Sequence, residues 1–203
     1  MELKKILPFF SYIFHPIFVS LYGALFYFLI TQNYFNASQI SITLLQVVIL
    51  TVFLPLSIYF LFRSLGVVSS FTEASLKERQ MPIAVQAVLL LVLLKFSISK
   101  EIMVELYFFF LGGLFSGIIA LTLVLLRFKA SLHMIGITAL TAFTYGLSVY
   151  YKLPFVNLFA FCIVCMGLVA SSRLYMKAHT YTELIVGLLI GLLPQIYLYR
   201  YWL

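Results

Sequence analysis

The sequence predicts an all-α fold, a polytopic transmembrane helical bundle of six or seven helices. Three observations lead there. The chain of 203 residues is 64% hydrophobic and 9% charged, with a mean hydropathy of +1.13. A water-soluble domain of this size still exposes much of its surface and cannot hide that much apolar side chain, so its solvent is lipid. The apolar runs are continuous, not alternating, which argues against a β-barrel. They also recur at membrane-span length between short polar connections.

Taken in order, apolar segments fall at about 6–30, 40–62, 83–98, 102–126, 132–151, 155–170 and 181–199. The first follows MELKK as a signal peptide would. It continues to Ile30 with no small-residue cleavage signature, so it reads as a retained span. His15-Pro16 within it predicts a kink with a satisfied His. The segments 83–98 and 155–170 are short for a full crossing, so they are tilted or lengthened by flanking residues. Pro55 and Pro194 predict further kinks, and Pro82 a helix start. Gly112, Gly113 and Gly117, with Ser116, predict a small-residue packing face. Cys162 and Cys165 form a CxxC inside an apolar run with no other Cys to complete a metal site, so they read as inert buried thiols. Tyr197, Tyr199, Tyr201 and Trp202 mark a membrane edge. No linker, charge block or repeat divides residues 1–203, which read as a single domain.

The net charge of +7 is spread over segment ends, without a basic stripe or an aromatic RNA-binding motif. It speaks for topology signals and lipid headgroups, and against nucleic acid.

The connections differ in character. TQNYFNASQ, SKE and YKLP are short and bland. Residues 63–82, 127–133 and 171–183 are rich, and they follow the second, fourth and sixth apolar segments. If every segment spans, these three emerge on one face with the N-terminus. The last contains His179 and Glu183, four apart at a helix start and so on one face. A carboxylate beside an imidazole fixes its tautomer and raises the basicity of the other ring nitrogen, which prepares a nucleophile or base. Arg173 offers a planar fork suited to phosphate. Ser131 and His133 stand where another helix begins, a position that attracts anions. Lys77 and Arg79 add cations. The set fits phosphate-ester chemistry without a metal: cations neutralise oxygens, one His attacks, one His protonates the leaving group. Each residue also has a plainer reading. His179 with Glu183 fits a structural helix-start pair, His133 an interfacial cap, and Lys77 and Arg79 headgroup anchors.

Ser172-Arg173, five residues, His179, three residues, Glu183 resembles the third signature of the type 2 phosphatidic acid phosphatase superfamily, with Glu in place of Asp. Ala130-Ser131-Leu132-His133 is similar to its Pro-Ser-Gly-His signature, keeping Ser and His. LKERQMP keeps the Lys, Arg and Pro of the first signature in order but at tighter spacing. The resemblance covers about residues 75–190. It implies that His179 is the nucleophile forming a phosphohistidine, that Glu183 orients it, and that His133 is the leaving-group acid. It implies further that Lys77, Arg79, Ser131 and Arg173 bind the phosphate. The two apolar segments between the first two signatures depart from the family and mark a divergent branch.

The function expected is a metal-independent phosphatase, without cofactor, hydrolysing a lipid phosphate or polyprenyl or lipid pyrophosphate. A variant passes the phosphoryl group to another lipid. The alternative is an inactive lipid-binding or lipid-translocating module on the same scaffold. A secondary transporter fits less well, since the ionisable residues gather at segment edges and no inverted repeat is evident. The expected location is a bacterial cytoplasmic membrane. The motif face carries nine cations against four opposite, or six once Lys77, Arg79 and Arg173 are set aside as ligands. The positive-inside rule therefore leans toward a cytoplasmic site. The family resemblance implies an outer-face site, which is the expectation adopted.

Overall fold

The computed structural model describes residues 3–67, 76–154 and 156–203. Among them there is no strand. The helices are α1 (Leu3–Ile13), α2 (Pro16–Thr31), α3 (Ala37–Val48), α4 (Leu54–Ser64), α5 (Leu76–Phe96), α6 (Val104–Leu125), α7 (Leu132–Tyr150), α8 (Val156–Tyr175) and α9 (Tyr181–Tyr199). A π turn at Ile49–Phe53 joins α3 and α4 into one rod, Ala37–Ser64. Among the described residues seven spans are long and apolar enough to cross a membrane, and the protein is an integral membrane protein.

The first apolar segment is not one kinked span. It breaks at His15, whose ψ of 136° is extended, and α2 starts at Pro16. A residue before proline is pushed out of the helical region, while proline, lacking an N–H, suits the first helical position. The preceding α1 packs on α8 instead of continuing α2. Pro82 likewise differs from expectation. The helix α5 already runs from Leu76, so Pro82 lies inside it and removes the N–H that would reach the Glu78 carbonyl. The two short segments gain length because polar residues join the helices: Lys77 to Gln80 in α5, Ser171 to Arg173 in α8. At Pro55 the helix meets the missing N–H by widening into the π turn just before it.

Short connections make successive spans antiparallel. The α1–α2 corner and the α6–α7 and α8–α9 turns therefore share one end of the bundle with the start of α5. The centre is α7, packed against α2, α6, α8 and α9. Its buried Thr141 satisfies its hydroxyl on the Ile137 carbonyl at 2.7 Å, which lets a polar residue sit in the core. Two glycines of α9 allow the closest approach: a Cβ on Gly187 would lie 2.7 Å from the Ser131 carbonyl oxygen, and one on Gly191 would overlap that of Ile135. The expected small-residue face of α6 divides in two. Gly112 and Ser116 meet α9, with Gln195 Nε2 donating to the Phe109 carbonyl at 3.0 Å and Ser116 to Ile190 at 2.8 Å. Gly117 instead fronts open space. The C-terminal aromatics also divide. Tyr197 and Tyr201 are exposed, whereas Trp202 is buried and Tyr199 donates to the Ala142 carbonyl. Cys162 and Cys165 are free and buried.

Candidate functional site

Helix α8 ends in a turn that aims the next residues back at the bundle. Lys177 takes the left-handed conformation at φ 52°, its N–H reaching Leu174 and that of Ala178 reaching Arg173. His179 follows at once, 7% exposed. Thr180 then caps α9: its hydroxyl accepts from Glu183 N at 3.3 Å, and Glu183 Oε2 accepts from Thr180 N at 3.1 Å. The same Oε2 accepts from His179 Nδ1 at 2.7 Å. A carboxylate only accepts, so Nδ1 carries the proton and Nε2 keeps its lone pair. Burial holds His179 below the ordinary 6.5; the Glu183 hydrogen bond opposes this, and the charges of Arg173, Arg79 and Lys129 reinforce it. The ring is therefore neutral near pH 7.

Helix α7 is set against the same spot. Ser131 N donates to the Glu183 carbonyl at 3.1 Å, tying its start to the first turn of α9. The Ser131 hydroxyl is wholly buried and accepts from Met134 N at 3.5 Å as the helix cap. His133 Nε2 lies 3.1 Å from the Ser11 carbonyl oxygen, so it carries a proton there. The Ser11 and Ser172 hydroxyls bond at 2.6 Å, fixing α1 to α8. Lys129 Nζ donates to the Ala178 carbonyl at 3.0 Å, bracing the loop before His179.

A cavity of about 330 Å³ collects these groups. Arg79, His133, Arg173 and His179 line it, together with Ser11, Tyr12 and His15 from the α1–α2 corner. Toward mid-bundle its wall is apolar, formed by Val19, Leu90, Phe109, Phe110, Gly113 and Ala139. Arg173 is 3% exposed, and its Nε–H finds no acceptor among the described residues. A buried donor on a cation without an acceptor is costly, and it suits a site made for an anion. Among the described residues no three His, Cys, Asp or Glu side chains group as metal ligands do.

Of the residues singled out in the sequence, four share the cavity: Arg79, His133, Arg173 and His179. Glu183 stands behind His179, and Ser131 caps α7; neither lines the cavity. Lys77 is exposed and outside it. The sequence reading missed the α1–α2 corner. Ser11 gave no signal, being one Ser among apolar residues. His15, a His inside an apolar run, gives one, but the adjacent Pro16 makes a kink an equally good account of it. Comparison with family models, with curated proteins and with solved structures returned no match.

Proposed function

We propose that this protein is a phosphatase that cleaves a phosphate or pyrophosphate from a membrane lipid without a metal. The observation that carries the reading is a cavity that joins three histidines and two arginines to an apolar interior. A phosphate fits the polar end, where the Arg173 Nε–H lacks an acceptor. A lipid chain fits the rest. The Ser172-Arg173, His179, Glu183 pattern, with its resemblance to the type 2 phosphatidic acid phosphatases, points the same way.

In this mechanism Arg79 and Arg173 hold the phosphoryl oxygens. His179 Nε2 attacks phosphorus as the P–O bond to the lipid breaks, while its Nδ1–H stays on Glu183. His133 Nδ1 takes the proton that the bound phosphate group brings and gives it to the departing oxygen. The Ser11 carbonyl accepts its Nε2–H throughout, which leaves Nδ1 to exchange the proton. Water then attacks the phosphohistidine, the P–N bond breaks, and His133 takes the proton from water and returns it to the phosphate. Inorganic phosphate leaves with both rings restored. Ser131 supports this as the cap of α7, and Lys77, at the exposed start of α5, attracts the anionic headgroup. The fuller reading sets the site on the outer face of a bacterial cytoplasmic membrane.

The test is phosphate release by the purified protein from phosphatidic acid, phosphatidylglycerol phosphate, polyprenyl pyrophosphate and a lipid A phosphate, with EDTA present, beside His179→Ala. Release that survives chelation and falls by at least about a thousandfold in the variant is expected. No release from a folded protein that still binds lipid would favour the inactive lipid-binding module. In the same study, Leu65→Cys is exposed to an impermeant maleimide outside intact cells. Labelling is expected, and its absence would move the site to the cytoplasmic face.

A further inference from the structure

His15 stands apart from the three connections that the sequence reading assembled, yet the fold brings it to the same cavity. Its role in α2 fixes its chemistry. Ile17 N donates to His15 Nδ1 at 3.3 Å. An N–H bonds only to a lone pair, so Nδ1 is bare and the neutral ring carries its proton on Nε2. The His15 ring lies edge-on to that of His133, centroids 5.2 Å apart at 87°. Burial, and after it the Arg173 charge, push its pKa down to about 4, so it is the neutral donor form that exists near pH 7. The charged and titratable groups around it in the cavity, among the described residues, are Tyr12 on α1, Tyr59 on α4, Glu78 and Arg79 on α5, His133 on α7, Arg173 on α8 and His179 in the following turn.

We propose that His15 is a phosphate-binding residue, its Nε2–H donating to the anion that Arg79 and Arg173 hold. The inference rests on the proposed phosphate site and extends it to the N-terminal segment. The site is then closed on four sides, by α5, α7, the α8–α9 turn and the α1–α2 corner. The helix-capping bond does more than start a span: it selects the tautomer that faces a phosphate correctly, as a donor.

A cap alone is a sufficient structural role for His15, and the experiment separates the two roles. Asparagine and serine cap helices well but carry no imidazole. The full chain in detergent is titrated with orthovanadate, reading the shift in its thermal midpoint, for the unchanged protein, His15→Asn and His15→Ser. Phosphate release from lipid phosphates is read in parallel. The expected result is an unchanged midpoint without vanadate and vanadate binding about ten- to a hundredfold weaker in both variants. Vanadate binding equal to the unchanged protein in either variant overturns the proposal and leaves His15 a cap. If neither variant folds, ¹⁵N-histidine spectra of the unchanged protein decide: the His15 Nε2–H resonance moves on adding vanadate, and a static resonance overturns the proposal. No vanadate binding by the unchanged protein removes the anion site and His15's part in it together. Binding that weakens in the variants, with no phosphate released from any lipid, overturns the phosphatase reading alone and supports His15 as an anion donor.

Discussion

Glu183 serves two structures with one oxygen. Its Oε2 accepts from Thr180 N, which starts α9, and from His179 Nδ1, which sets the ring. The orientation of the His179 ring is therefore as rigid as the helix start. His179 is buried and held below 6.5, so it stays neutral well into the acid range. On the proposed mechanism, the acid limb of the rate profile belongs below the ordinary imidazole value. Stability moves the other way: the unfolded chain takes up a proton near pH 6.5 that the folded site refuses, so stability falls as pH drops through that value. Glu183→Gln removes the one influence that raises the His179 pKa. We expect the limb to move to lower pH and the maximal rate to fall about ten- to a hundredfold, as for other partners that orient a histidine. An identical profile in the variant would show that Glu183 is only a helix cap. This pair was legible in the sequence because both residues are local to one helix start. Ser11, His15 and their contact with His133 were not, since they depend on a chain separation of more than a hundred residues.

At the scale of elements, long apolar runs gave away the spans, because length and continuity alone decide whether a helix crosses lipid. Their ends were harder to read. Hydropathy drops at Lys77 and at Ser171, yet α5 and α8 include these residues, because backbone hydrogen bonds continue where the side chains turn polar. At His15-Pro16 the dipeptide marks a disturbance, but the apolar run continues on both sides, so a kink is expected where the backbone breaks. What holds the site's two histidine-bearing pieces together is the α7–α9 contact, and it depends on glycine. At Gly191 the neighbour is backbone, which cannot swing aside. Gly191→Ala should therefore lower the thermal midpoint and weaken vanadate binding together. Gly167 faces open space on α8, and there alanine should leave the midpoint unchanged or raise it, since alanine favours a helix by about 0.5–1 kcal/mol over glycine. Equal midpoints for the two variants would mean that the α7–α9 approach is not tight.

The whole molecule separates two polar clusters by an apolar bundle. At the end away from the site, buried Glu105 accepts from Tyr151 at 2.8 Å and from Tyr27 at 3.3 Å, joining α6, α7 and α2. Three helices that line the cavity are thus pinned at their far ends, and the space between them need not collapse when the polar end binds an anion. On the proposed function that space holds the lipid chain, and Gly117 gives a way to fill it. A Cβ there meets nothing within 4 Å and the residue lines the cavity, so this is the position at which to test a larger side chain. Gly117→Leu should keep the midpoint, keep vanadate binding, and keep turnover of a small soluble monoester such as p-nitrophenyl phosphate. Its kcat/KM for a long-chain lipid phosphate should fall about tenfold or more, because the chain then leaves apolar contacts unmade at roughly 0.8 kcal/mol per methylene. Equal losses on both substrates would mean that the leucine has disturbed the polar end. No loss on either would mean that the chain stays outside the bundle, and the substrate would then be held by its phosphate alone.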